Sequence, residues 1–258
     1  GRTNCLKNTV HGVGSQSAVR RKCSVRIDRQ TAAHLHTAQR GGGGNGKLYV
    51  FQRIANSLSL PPQDVDLAWL CGLLHDVGRF EQLRRYGTFI DAKSIDHALM
   101  SVTVLFEEGR LRDYIAGTDE DALLRTAIRL HNAYRLPEEM DDRTRMFCQI
   151  LRDADKIDIL RVNVETPMEQ IYNVSTEALR QSPVSPAVLD AFYEHHCGLR
   201  TLNHYPADNA VGHASFVFEL CYPESLRAVA EQGWLWKLLD FKTENPDTAK
   251  AFAGMKAE

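Results

Sequence analysis

The chain has 258 residues, 43% of them apolar and 25% charged, a balance close to the globular average and sufficient for one sizeable core. This excludes the disordered, collagenous and fibrous classes. The net charge of −2 divides unevenly: residues 1–47 carry nine Lys or Arg against the single acid Asp28, which leaves the remainder at −10.

Residues 1–47 hold eight of the seventeen glycines and end in the run Gly41-Gly42-Gly43-Gly44-Asn45-Gly46. They show no sustained helical or strand period and read as an irregular basic arm. The arm has no aromatic residue to stack on bases and no recognisable binding module, which argues against nucleic acid as a partner. Gly41 to Leu48 approaches a phosphate-binding loop, but Leu48 stands where the magnesium-binding hydroxyl is needed and no strand precedes it. No stretch reaches the roughly 18 to 20 uninterrupted apolar residues of a membrane-spanning helix, and the start lacks a signal-peptide pattern. A cytoplasmic protein without a membrane partner is expected. Cysteines at 5, 23, 71, 148, 197 and 221 form no CxxC pair, so free thiols are expected rather than a zinc knuckle or a disulfide framework. Oligomeric state is not indicated.

From Leu48 onward apolar residues return every three or four positions, and the body is expected to be all-α. The spacing predicts a first helix over residues 48–58, with Phe51, Ile54, Ala55 and Leu58 on one face, closed by Pro61-Pro62. A second opens at Asp64 and runs through Val65, Leu67, Leu70, Cys71, Leu73 and Leu74 into His75-Asp76. A third follows Ser94, carries His97, Met100 and Leu105, and ends at Gly109. A fourth follows Thr118 and ends near His131. A fifth, roughly 141–162, sets Arg152-Asp153-Ala154-Asp155-Lys156 inside an apolar frame of Phe147, Ile150, Leu151, Ile157 and Leu160. Short helices are predicted at about 175–180, 186–197, 207–220 and 223–234. The domain reading is therefore an arm (1–47), a helical core (48–165) and a C-terminal helical extension packed on it (166–258).

His75 and Asp76 close an almost wholly apolar helix, where an unpaired carboxylate and imidazole would cost several kcal/mol of lost hydration. A divalent Mn, Fe, Co, Ni or Zn ion would satisfy both; the alternative is an Asp capping the next turn beside a surface His. His97, His131 and Asp155 recur at the ends or polar breaks of three other helices. Taken singly, each is most simply a hydrogen-bonded structural residue, but helices converging inward are how bundles build such metal sites. Arg79, three residues after Asp76, and Lys156, next to Asp155, could donate to phosphate oxygens. Their alternative is ordinary ion pairing with Glu81, Asp153 or Asp158.

These residues resemble the HD superfamily of metal-dependent phosphohydrolases. Leu73-Leu74-His75-Asp76-Val77-Gly78-Arg79-Phe80 is similar to the family's apolar helix ending in His-Asp, and Asp153-Ala154-Asp155-Lys156-Ile157-Asp158 to its closing Ala-Asp segment. Ile95-Asp96-His97-Ala98 and His131-Asn132 resemble the extra histidines of members that hold two metals. The resemblance covers about residues 48–165 and implies an all-helical bundle with the metal site at its centre. It implies His75, Asp76 and Asp155 as ligands of a first ion, Asp76 bridging to a second held by His97 and His131, and a metal-activated water as nucleophile. Asp155 is preferred to Asp153, which could pair with a neighbouring Arg. His36-Thr37 resembles the position of the family's first histidine ligand, although the glycine run lies between it and His75. The implied substrate is a small phosphomonoester, nucleotide or phosphodiester. The same ligands could instead support a di-iron oxygenase, or the domain could be catalytically impaired with a signalling or structural role. The segment after His131 lacks the Gly-Tyr-Pro of cyclic-dinucleotide phosphodiesterases, and the length disfavours the triphosphohydrolase branch.

Overall fold

A computed structural model describes residues 44–258, and side chains from residue 49. The basic arm as far as residue 43, with His34 and His36, lies outside the described residues. Every described regular element is helical, and no strand occurs among the described residues.

The core is built from six helices: α1 (Gly44–Ser57), α2 (Pro62–Leu74), α3 (Gly78–Tyr86), α4 (His97–Val102), α5 (Asp121–Leu130) and α6 (Asp142–Glu165). Helix α1 begins four residues before the expected start, inside the glycine run, so the end of the anticipated irregular arm is helical. Its buried Val50, Phe51, Ile54 and Ala55 pack against α2, where Leu67, Ala68, Leu70, Cys71, Leu73 and Leu74 are all buried. A proline opens α2, where its missing donor costs nothing. Gly72 lets the two helices approach closely: a β-carbon there would lie 2.6 Å from the Phe51 ring.

Helix α3 was not anticipated. It is short and polar, and it ends at Gly87 with φ of 68°, the left-handed cap that glycine adopts without strain. The third predicted helix is α4 followed by a π-type turn over Thr103–Glu107 before Gly109. Asp141 caps α6 by accepting from Thr144 N at 2.9 Å.

Beyond α6 come α7 (Met168–Tyr172), α8 (Thr176–Arg180), α9 (Pro186–Tyr193), α10 (Pro206–Ala214), α11 (Pro223–Gln232), α12 (Trp234–Leu239) and α13 (Pro246–Ala257). The expected helix over 223–234 is broken at Gly233, whose φ is 69°. Helix α13 was missed, despite Asn245 accepting from Asp247 N and Thr248 N ahead of Pro246. Of these, α7, α10, α11 and α12 pack on α6, and α11 also on α1, while α8 and α9 pack on α10, and α13 on α9 and α12. Val188, Phe192, Val211, Ala228, Val229, Leu238 and Phe252 join the core helices in one continuous buried cluster, so the extension shares its core with the first half. Cys71, Cys148, Cys197 and Cys221 are free thiols.

Candidate metal centre

Four core helices bring His75, Asp76, His97, His131 and Asp155 together. His75 and His131 stand at the C-terminal ends of α2 and α5, His97 is the first residue of α4, and Asp155 projects from the middle of α6. The C-terminal ends of α2 and α5 place the negative ends of two helix dipoles at the cluster, which favours a cation. The three imidazoles are buried, at 1%, 5% and 5% exposure. The side chains of Asp155 and Asp76 are 16% and 32% exposed, so the cluster opens to solvent on the Asp76 side.

Each element is held by contacts that the sequence did not announce. Ser101 on α4 donates to His75 O at 2.6 Å and accepts from Gly78 N at 2.9 Å, which clamps the His-Asp turn onto α4. Only glycine fits at 78, because a β-carbon would lie 2.3 Å from Ser101 N and 2.6 Å from His97 O. Asp96 caps α4 through Leu99 N at 2.9 Å and accepts from Asn132 Nδ2 at 3.1 Å, tying the two histidine motifs together. Arg152 donates to the carbonyls of Leu130, His131, Ala133 and Tyr134, closing the end of α5 at His131.

The ring hydrogen bonds determine what the cluster offers. His75 Nδ1 faces Gly72 O at 2.9 Å, His131 Nδ1 faces Ile128 O at 2.8 Å, and His97 Nδ1 faces Asp91 Oδ2 at 2.6 Å. Carbonyls and carboxylates only accept, so each Nδ1 carries a proton, and a ring in its neutral form presents Nε2 as a lone pair. These three Nε2 atoms converge. His97 Nε2 and His131 Nε2 are 2.9 Å apart, and both stand 3.7 Å from Asp76 Oδ1. His75 Nε2 lies 3.4 Å from Asp76 Oδ2 and 3.3 Å from Asp155 Oδ1. Burial, reinforced by neighbouring His75, lowers the His131 pKa to about 4, which keeps the ring a neutral donor. Lone pairs facing lone pairs and carboxylates repel one another, and a cation among them relieves that repulsion; the donor set therefore fits divalent metal.

Two overlapping groups have donor atoms within 4.8 Å of one another: His75, His131 and Asp155, and Asp76, His97 and His131. The resemblance assigned His131 to the second ion alone, whereas here it reaches both groups. Asp76 turns one oxygen toward His75 and the other toward His97 and His131, the disposition of a bridging carboxylate.

Asp153 is not part of the cluster and does not pair with an arginine. It is fully buried on another face of α6, accepting from Cys221 N at 2.9 Å, Tyr222 N at 3.1 Å and Ser225 Oγ at 2.7 Å, where it anchors the start of α11. Arg79 approaches the cluster with Nε 3.9 Å from Asp76 Oδ1. Its firm partners are Asp91 Oδ1 and Phe89 O, both 2.9 Å from Nη1, and none of the three acids expected from the sequence. Burial and neighbouring Arg152 lower the pKa of Lys156, while Asp153, Cys197 and Glu219 oppose that shift. Asp91 escaped the sequence reading. Burial disfavours its charge, but hydrogen bonds from His97 and Gln82 outweigh it and hold the carboxyl well below the usual range. The available signal was an acid six residues before His97 in a polar loop.

Comparison with known proteins finds one family. The family model described as HD domain matches residues 48–160, from α1 to the Asp155 turn of α6. No curated protein and no solved structure matches the chain. Residues 48–160, which carry all five residues of the cluster, are an HD domain.

Proposed function

We propose that the protein is a metal-dependent phosphohydrolase acting on a small phosphomonoester, nucleotide or phosphodiester. The observation that carries the proposal is the convergence of three imidazoles, each with Nδ1–H committed elsewhere, on two carboxylates from separate helices. His75, Asp76, His97, His131 and Asp155 would hold one or two ions, with Asp76 shared between them. Bound there, Mn, Fe, Co, Ni or Zn would lower the pKa of water and neutralise phosphate charge. The chain supplies the rest. The three rings are buried, and the partly exposed Asp76 gives a small anion its approach. Arg79 lies on that side and offers a cation to the arriving phosphate. Lys156, next to Asp155 on α6, is proposed as a second cation for the phosphate. His36 is proposed as a further ligand, and His36→Ala with metal titration tests it.

Elemental analysis of protein purified without chelator, followed by a phosphoester panel, tests the proposal. One or two equivalents of transition metal are expected, with metal-dependent turnover that Asp76→Ala abolishes. Trace metal only, in protein whose melting temperature is indifferent to added Mn, Co, Ni or Fe, would overturn it, as would near-normal kcat in Asp76→Ala.

A further inference from the structure

The three imidazoles are not locked in the same way. His75 and His131 close helices, and each finds its Nδ1 acceptor on its own chain three residues back, at Gly72 O and Ile128 O. His97 opens a helix, so no helical carbonyl precedes it in that position. Its acceptor comes from the loop before α4: Asp91 Oδ2, at 2.6 Å. That carboxylate is itself gripped. Its other oxygen accepts from Gln82 Nε2 and Arg79 Nη1, each at 2.9 Å. Gln82 is fully buried, and its amide also reaches Ser94 Oγ and Ile95 O at 2.9 Å, pinning the loop to α3.

We propose that Asp91 is the positioning residue of the metal centre: it holds His97 in the Nδ1–H tautomer and aims the Nε2 lone pair at Asp76 and His131. An imidazole free to take its proton on Nε2 would present a donor where the centre needs an acceptor, and carboxylates behind metal-binding histidines act in this way generally. The consequence for metal binding rests on the metal-dependent reading above, whereas the tautomer does not.

The test uses the full chain. In 15N-labelled, chelator-treated protein at pH 8, long-range 15N–1H NMR reads the tautomer of each histidine. Wild type is expected to show Nδ1–H for His75, His97 and His131. Asp91→Ala is expected to shift His97 alone toward Nε2–H, with His75 and His131 reporting that the fold is intact. Calorimetric titration with Mn2+ is expected to show one equivalent weakened by about 10- to 100-fold. Asp91→Asn, which keeps the side-chain volume, is expected to fall between wild type and Asp91→Ala, and it carries the test if the alanine variant does not fold. Ser94→Ala disturbs the same loop without touching the Asp91–His97 bond and should leave tautomer and affinity unchanged. A His97 that keeps Nδ1–H in both Asp91 variants, or wild-type affinity for every Mn2+ equivalent, would overturn the proposal. Wild-type protein that binds none of Mn2+, Fe2+, Co2+, Ni2+ and Zn2+ would refute the metal-dependent reading, and the tautomer result would still decide the role of Asp91.

Discussion

The contact between α3 and α4 at Gly78 gives a quantitative test of how the His-Asp turn is held. In Gly78→Ala the new β-carbon would fall 2.3 Å from Ser101 N, 2.6 Å from His97 O and 2.7 Å from Met100 C, against ordinary contacts of 3.4–4 Å. All three are backbone atoms of α4, so no side chain can rotate away, and the helices must separate by about 1 Å. Overpacking of this kind costs roughly 1–3 kcal/mol. Separation also breaks the 2.9 Å bond from Gly78 N to Ser101 Oγ, worth about 1 kcal/mol. Alanine returns roughly 0.5–1 kcal/mol through its better helix propensity. The net is a destabilisation of about 1–3.5 kcal/mol, and a value near 2 kcal/mol lowers the melting temperature of a domain this size by roughly 4–8 °C. Gly212, in α10, is the internal control: a β-carbon there meets nothing within 4 Å, so Gly212→Ala should be neutral or stabilising by up to about 1 kcal/mol. Thermal melting followed by circular dichroism on the two variants reads the opposite signs. If Gly78→Ala melts at or above the wild-type temperature, the clamp between α3 and α4 does not exist as described.

Four further outcomes are expected. Asp153→Ala leaves two backbone donors and the Ser225 hydroxyl without their buried acceptor and should cost about 3–5 kcal/mol. Asp155→Ala should melt close to wild type in chelator and lose metal content instead; the reverse pattern would exchange the roles of the two acids. Because His131 is held neutral with its pKa lowered to about 4 from 6.5, the unfolded chain takes up a proton that the native state refuses. The stability this confers is complete above pH 6.5 and is lost as pH falls toward 4, about 2 kcal/mol of it by pH 5. Chelator-treated wild type should therefore destabilise more steeply than His131→Asn between pH 7 and 5, and equal slopes would refute the buried neutral ring. If the proposed phosphohydrolase activity holds, Arg79→Ala is expected to raise KM about 10-fold or more; a fall in kcat at unchanged KM would assign Arg79 to supporting Asp91 alone.

The helical class and the five converging residues were legible in the sequence because both depend on short-range regularities. Apolar spacing near 3.6 marks a helix, and a His-Asp pair closing an apolar run is costly unless something satisfies it. The errors arose where no such period exists. Helix α3 carries few apolar residues, so packing of its first turn on α4 defines it more than any stripe does. The glycine run reads as a breaker, yet α1 begins within it.

What the sequence by itself determined is which residues are chemically able to hold a metal and on which helices they ride. Only the tertiary structure decided how they share the work. Asp153 and Asp155 lie two positions apart in the same motif, but about 200° of helical rotation turns one toward α11 and the other toward His75. His131 reaches both groups of donors, Arg79 grips Asp91, and Asp91 grips His97. Each of these is a contact between side chains from different elements, set by the angle and distance at which helices pack, and neither spacing nor residue type along the chain encodes that geometry locally.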